Sequence, residues 1–258
     1  MGGFLFDDII FGPVKSRRLG VSLGINLLPT DYKFCTFNCI YCECGWTHKA
    51  DKKITLPTTQ EISKRLEESL QKRSKEHLPV DSITFAGNGE PTLHPDFVAI
   101  IDETIRLRDL YFPKAIITVL SNASLVHNTQ IIEALLKVDK NILKLDAGTE
   151  ATFQAIDQPH GNLTLAKIVD YLKKFNGQLI IQTLFLKGYN QHQGIDNTTD
   201  AEVAAWIELL KEVKPQNVML YPIERETPEN SIYKIDVDTL NRIARKVNDA
   251  GFKTEVFG

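Results

Sequence analysis

Short β-rich runs alternate with amphipathic helical segments along most of the chain, and this alternation limits the fold more than any other feature of the sequence. Residues 20–28 (GVSLGINLL), 82–86 (SITFA), 115–120 (AIITVL), 141–146 (NILKLD), 179–186 (LIIQTLFL), 218–223 (VMLYPI) and 253–257 (KTEVF) read as strands. Helical periodicities fill the gaps. Thr58 to Glu61 makes a capping box, and Ile62, Leu66 and Leu70 follow at four-residue steps, predicting a helix to about His77. Phe97, Ile100, Ile101 and Ile105 mark a second helix after Pro95, and Ile131, Ile132, Leu135 and Leu136 a third. Further helices are expected over 163–174, around Trp206, Leu209 and Leu210, and over 238–249. Residues 188–200 (GYNQHQGIDNTTD) read as one long polar loop. Strands separated by helices in this way imply a mostly parallel α/β sheet with right-handed crossovers, either a barrel or an open sheet. In a barrel, the loops that leave the strands gather on one face, where active sites lie.

A chain of 258 residues fits one large domain or two small ones. No linker, repeat or low-complexity tract divides it, so a single domain over 1–258 is expected. Nothing approaches the roughly 18 consecutive apolar residues of a membrane span, and the opening MGGFLFDDII lacks the charged-then-apolar pattern of a secretory signal. No membrane partner and a cytoplasmic location are the expectation. The formal net charge of −3 argues against a protein that coats nucleic acid non-specifically, since such binding rests on many Lys/Arg–phosphate contacts. Two short basic patches remain, Lys15, Arg17 and Arg18, and Lys49, Lys52 and Lys53. Each reads as a solvated loop or as an anion site.

All four cysteines, Cys35, Cys39, Cys42 and Cys44, lie in one short stretch. Bridges would join distant segments, whereas a crowded cluster points to metal. The spacing Cys35-x3-Cys39-x2-Cys42 lets three thiolates wrap one face of an iron–sulfur cubane and leaves a fourth iron open. Structural zinc is the alternative, but zinc ribbons pair two Cys-x2-Cys knuckles and no second knuckle occurs here. Cys44 is either a catalytic thiol or a small loop residue beside the cluster.

Together with Tyr41 before the third cysteine, this spacing resembles the signature of the radical S-adenosylmethionine (SAM) superfamily. Gly87-Asn88-Gly89-Glu90-Pro91 resembles that family's glycine-rich GGEP segment, with Asn88 where many members have another residue. The order of strands, the cysteines after the first strand and the chain length resemble the family's partial (β/α)6 TIM-like barrel. Residues 12–20 (GPVKSRRLG), 35–42 (CTFNCIYC), 144–149 (KLDAGT) and 221–229 (YPIERETPE) resemble a branch of small single-domain members related to wyosine-type tRNA enzymes.

The resemblance implies a [4Fe-4S] cluster held by Cys35, Cys39 and Cys42, with SAM chelating the fourth iron. An electron from the cluster then splits the sulfonium to give methionine and a 5′-deoxyadenosyl radical, which abstracts hydrogen from a substrate. Glycines bring backbone close to a ligand, so Gly87 and Gly89 suit the methionine end of SAM, with Asn88, Glu90 and Pro91 in the same segment. The resemblance implies that Tyr41 offers its backbone carbonyl to adenine. Ser121 and Asn122 follow a strand and are candidates for the ribose. Lys144 and Asp146, two apart on a strand, share a face and need each other or a ligand. Gln182 is a mid-strand amide that needs a partner, and Tyr221 is a candidate to flank adenine. Arg225 lies past a strand, where it could grip an anionic substrate.

The function expected is a radical SAM enzyme acting on a tRNA base, a protein partner such as a glycyl-radical enzyme, or a small anion, reduced by a flavodoxin or ferredoxin. A non-catalytic zinc- or iron–sulfur-binding sensor or scaffold is the alternative from another class. The glycine-rich segment separates the two, since a bare metal module has no use for it. Substrate is expected over the loops containing Lys15–Arg18, Tyr189–Asn197 and Glu224–Glu226.

Overall fold

The computed structural model describes residues 3–16, 18–47, 54–190 and 193–258. Six strands lie parallel and adjacent: β2 (Gly20–Ile25), β3 (Ser82–Phe85), β4 (Ile116–Ser121), β5 (Lys140–Lys144), β6 (Ile180–Asn190) and β8 (Asn217–Pro222). β10 (Thr254–Val256) extends the sheet in parallel beyond β8, and β1 (Ile10–Ser16) covers the opposite edge as an antiparallel hairpin with β2. β7 (Gln193–Asp196) and β9 (Ile232–Lys234) both pair antiparallel with the far end of β6. Among the described residues no ladder joins β1 to β10, so the sheet curls without closing. This is a partial (β/α)6 barrel.

Helices cover its outside: α1 (Thr59–Lys75), α2 (Phe97–Tyr111), α3 (Thr129–Lys137), α4 (Glu150–Ile156), α5 (Leu165–Lys173), α6 (Asp200–Val213) and α7 (Val237–Asp249). α1 starts where the capping box places it, with Thr58 Oγ1 accepting from the Glu61 amide and Glu61 accepting from the Thr58 amide. Its Ile62, Leu66 and Leu70 are buried against the outer faces of the strands, a core shared with Ile83, Phe85, Ile117, Val119 and Ile181. The inner faces are different in kind. Ser22, Ser82, Thr84 and Thr118 are buried and linked by hydroxyl hydrogen bonds of 2.7 Å, 3.1 Å and 3.4 Å. Small hydroxyl groups let the strands curl tightly, and each finds a partner, as buried polar groups must. No helix among the described residues is long and apolar enough to cross a membrane.

Four features differ from the sequence reading. β1 has no clean alternation, because its strand is half exposed and contains Gly12 and Pro13. The expected polar loop at 188–200 is largely ordered: β6 runs on to Asn190 and β7 folds back on it, while Gln191 and His192 lie outside the described residues. The short helix α4 was not expected. Lys15, Ser16 and Arg18 lie in the β1–β2 hairpin, at the start of β2, whereas the cysteine segment leaves its end. The expectation that Lys15–Arg18 share a face with the cysteines is therefore not met by Lys15, Ser16 and Arg18, whose hairpin stands at the other end of β2; Arg17, Lys49, Lys52 and Lys53 lie outside the described residues.

From that hairpin Arg18 reaches across the open seam. Its Nη1 donates to Gln182 Oε1 on β6 at 2.6 Å, and its guanidinium lies 5.5 Å from the ring centre of Tyr221 and 5.8 Å from that of Phe257.

Candidate functional site

The site is built where the ends of β2 and β3 meet. Asn26, just past β2, accepts from the Leu28 and Asn88 amides and donates to the Leu28 carbonyl, fixing the start of both loops. A Cβ on Gly87 would come 2.3 Å from Asn26 Oδ1, so only glycine leaves room for that side chain. The two loops then pair backbone to backbone: the Phe34 amide donates to the Asn88 carbonyl at 2.8 Å, and the Glu90 amide to the Phe34 carbonyl at 3.2 Å. The cysteine segment thus starts locked to the glycine-rich segment. Its far side rests on the chain after α4, with the Asn38 amide donating to the Asp157 carbonyl, the Ile40 amide to that of Ile156, and the His160 amide to that of Thr36.

Glu90 is 2% exposed, and its carboxylate accepts from the Thr92 amide and hydroxyl, the Ser121 hydroxyl and the Asn122 amide. Burial raises its pKa, with those four donors working in the opposite direction. It ties the glycine-rich segment to the end of β4. Asn122 Nδ2 in turn donates to Thr36 Oγ1 at 2.9 Å and approaches Cys35 Sγ at 3.6 Å.

Two lysines face the cysteines. Lys33 is 2% exposed, and its Nζ donates to the Gly45 carbonyl at 3.2 Å. Burial works against its charge, but Cys42, Cys39 and Cys35 outweigh that, and its pKa is raised. Lys144 reaches Asp146 Oδ2 at 2.8 Å, Asp157 Oδ1 at 3.3 Å, Cys39 Sγ at 3.5 Å and the Tyr41 hydroxyl, which also contacts Asp146. Burial also opposes its charge, yet Asp146 and Asp157 hold its pKa well above the ordinary value. Burial pushes the Asp157 carboxyl up to about 7 despite Lys144, and its Oδ2 has no partner.

The thiols respond to their surroundings individually. Burial pushes Cys35 up to about 11 and holds Cys39 well above the ordinary value. Cys42 is lowered to about 6, first by the Cys44 thiol that donates to it and then, against burial, by Lys33; the same contact raises Cys44. Cys44 Sγ also lies 3.5 Å from the Gly87 carbonyl.

A cavity of about 210 Å³ joins these parts, walled by Cys35, Cys39, Cys42, Cys44, Lys33, Tyr41, Gly87, Gly89, Glu90, Ser121, Asn122, Lys144, Gln182 and Tyr221. Gln182 has its partners: Oε1 accepts from Arg18, and Nε2 donates to the Tyr221 hydroxyl at 2.8 Å. Four candidates from the sequence, Asn88, Pro91, Asp146 and Arg225, do not wall it. The Asn88 side chain turns away to grip the Phe6 amide and the Phe6 and Pro29 carbonyls. Pro91 opens a single buried 3-10 turn, and Asp146 lies behind Lys144, accepting from the Leu184 amide. Arg225 lies outside the cavity, pairing with Glu43 at 2.7 Å beside the Phe4 ring in a separate cleft of about 780 Å³. Among the described residues no three His, Cys, Asp or Glu side chains converge on a single-ion site. A cubane makes a different demand, thiolates spread around a void instead of converging on one ion, and the cavity lined by Cys35, Cys39 and Cys42 meets it.

Lys33, Asn26, Thr36 and Asp157 were missed from the sequence. Only Lys33 had a visible signal, its position two residues before Cys35.

The family model of the radical SAM superfamily matches residues 30–210. The chain belongs to that superfamily. Among curated relatives it is 32% identical over 253 residues to a UPF0026 protein of Methanocaldococcus jannaschii, covering 96% of this chain and 74% of the relative. It is 33% identical over 254 residues to a Brachyspira hyodysenteriae protein named GTPase Obg, of which it spans only 34%. Solved structures share the fold at low identity. A radical SAM methyltransferase from Sphaerobacter thermophilus gives a TM-score of 0.66 at 15% identity, over 92% of this chain and 65% of that one. Archaeal TYW1 gives 0.55 at 15% identity, over 89% and 72%. Members of the superfamily use a [4Fe-4S] cluster and SAM for radical chemistry.

Proposed function

We propose that the protein is an enzyme that reductively cleaves SAM and uses the resulting radical to abstract hydrogen from a substrate. The observation that carries this reading is the pairing of Phe34 with Gly89, which brings the three motif cysteines and the glycine-rich segment around one cavity. Cys35, Cys39 and Cys42 would hold the [4Fe-4S] cluster, leaving Gly87, Gly89 and the ends of β4 to β8 for SAM. When bound, the cluster supplies the electron that splits SAM into methionine and a 5′-deoxyadenosyl radical. The chain's own residues bind and exclude. Gly87 and Gly89 present backbone to the methionine end, and Ser121 and Asn122 border the same wall. Lys144 keeps its charge among Asp146 and Asp157, and Gln182 with Tyr221 closes the cavity toward the seam and limits water.

Tyr41 stays assigned to adenine through its backbone carbonyl, and Tyr221 to the ring. Arg225, on the rim beside the cysteine loop, fits substrate contact better than cofactor contact. A flavodoxin- or ferredoxin-type protein would supply electrons, and a tRNA or glycyl-radical protein is a fitting macromolecular substrate.

Anaerobic protein given iron, sulfide, SAM and dithionite should release 5′-deoxyadenosine and methionine. A colourless protein holding one zinc would favour the scaffold alternative, and S-adenosylhomocysteine as the sole product would show plain methyl transfer.

A further inference from the structure

Lys33, an ammonium-bearing side chain, is buried as deeply as the apolar core. It precedes the first motif cysteine by two residues, its Nζ donates to the Gly45 carbonyl, and it stands in the wall of the cavity that the four cysteines also line. The second lysine differs. Lys144 divides its charge between two carboxylates, Asp146 and Asp157, besides Cys39. The Gly45 carbonyl also accepts no charge from Lys33; it only orients the ammonium. A buried ammonium is costly unless something negative offsets it, and the wall that Lys33 shares holds all four cysteines and one carboxylate, Glu90, which is taken up by its own four donors.

We propose that Lys33 is the fixed counter-ion of the iron–sulfur cluster and sets how readily the cluster accepts its electron. This rests on the cluster reading above. Reduction adds one electron, supplied by an external donor protein or by dithionite, and increases the negative charge of the cluster and its thiolates by one. No bond forms and no proton moves. A positive charge held against those thiolates in a poorly screened interior favours the more negative state, so it raises the reduction potential. Gly45 keeps the ammonium on the cysteine side, since the carbonyl holds one of its three hydrogens. Lys33 acts on the cluster, and no contact with substrate is required of it.

The test compares Lys33→Met, Lys33→Gln and Lys33→Arg, each reconstituted anaerobically with iron and sulfide. Iron per chain and the midpoint potential of the cluster are read in a redox titration without SAM. The two neutral variants should have lower potentials than the wild type, while Lys33→Arg, which keeps the charge, should stay close to it. A neutral variant with full iron content and an unchanged potential overturns the proposal. If neither neutral variant retains a cluster, Lys33→Arg decides: retention at near wild-type potential supports the role of charge, and loss shows a requirement for shape that overturns it. A wild-type chain that takes up no iron would instead remove the proposed function itself.

Discussion

Gly89 has a φ of +143°, and a Cβ there would come 1.8 Å from the Phe34 carbonyl oxygen. The same contact joins the two loops of the site, so this glycine is demanded by a close approach of backbone to backbone as well as by any ligand. Glu90 is similar: its four hydrogen bonds are all internal, and its first duty is to hold the glycine-rich segment to β4. Glu90→Ala should therefore lose about 3 kcal/mol of stability, because buried donors on Thr92, Ser121 and Asn122 are left unpaired. Urea unfolding checks this; a loss below about 1 kcal/mol would return Glu90 to a purely ligand-facing role. The cysteines separate differently. Alanine at Cys35, Cys39 or Cys42 should abolish bound iron, while Cys44→Ala should retain it, as read by iron and sulfide content. Equal loss in all four would make Cys44 a ligand. Cysteines and glycines were legible in the sequence because their spacing is itself the chemistry. Asn26 and Asp157 were not, because nothing local marks a polar residue as buried, and Lys33 was marked only by standing two residues before Cys35.

Among the elements, the regular ones were legible and the irregular ones were not. α1 announces itself through Thr58 and a strict apolar stripe. β1, β7 and β9 pair at edges with one side exposed, so their burial patterns carry no clear period, and α4 is too short to show one. The N-terminal segment before β1 is another such piece. It lies over the site, with the Phe4 amide donating to the Glu43 carbonyl and Phe6 held at both its amide and its carbonyl by Asn88. This explains asparagine in the glycine-rich segment: its side chain serves the strap. Asn88→Ala should thus speed amide exchange at Phe6 by at least about tenfold, the equivalent of about 1.4 kcal/mol. Unchanged exchange at Phe6 would show that the strap is held from elsewhere.

For the molecule as a whole, the alternation of strands and helices left a choice between barrel and open sheet, and the structure is a barrel that stops short of closure. One side chain that spans the gap is Arg18, a residue the sequence offered as part of a basic patch and of a substrate-facing loop. Its hydrogen bond and two aromatic faces should together contribute about 1–2 kcal/mol. Arg18→Met, which keeps the length and loses the charge, should lower the midpoint of urea unfolding accordingly and loosen Gln182 and Tyr221. A midpoint equal to the wild type would show that the seam is held by other contacts.

A ladder of backbone hydrogen bonds yields only when many bonds break together, whereas a single side chain lying between two rings can let go by itself. The barrel wall is therefore uneven in strength. Around β3, β4 and β5, opening means tearing the sheet; at the seam, it means releasing a few separate contacts, Arg18 on Gln182, Tyr221 and Phe257, Arg225 on Glu43 and the Glu229 amide on the Ile40 carbonyl. A rotamer change of Arg18 would free the Gln182–Tyr221 end of the cavity. A guanidinium ion free in solution is chemically the same latch. Low concentrations of guanidinium chloride should compete with Arg18 for the Tyr221 and Phe257 faces and let that side breathe well before the fold is lost, an effect that urea, with no charge to stack, should not reproduce.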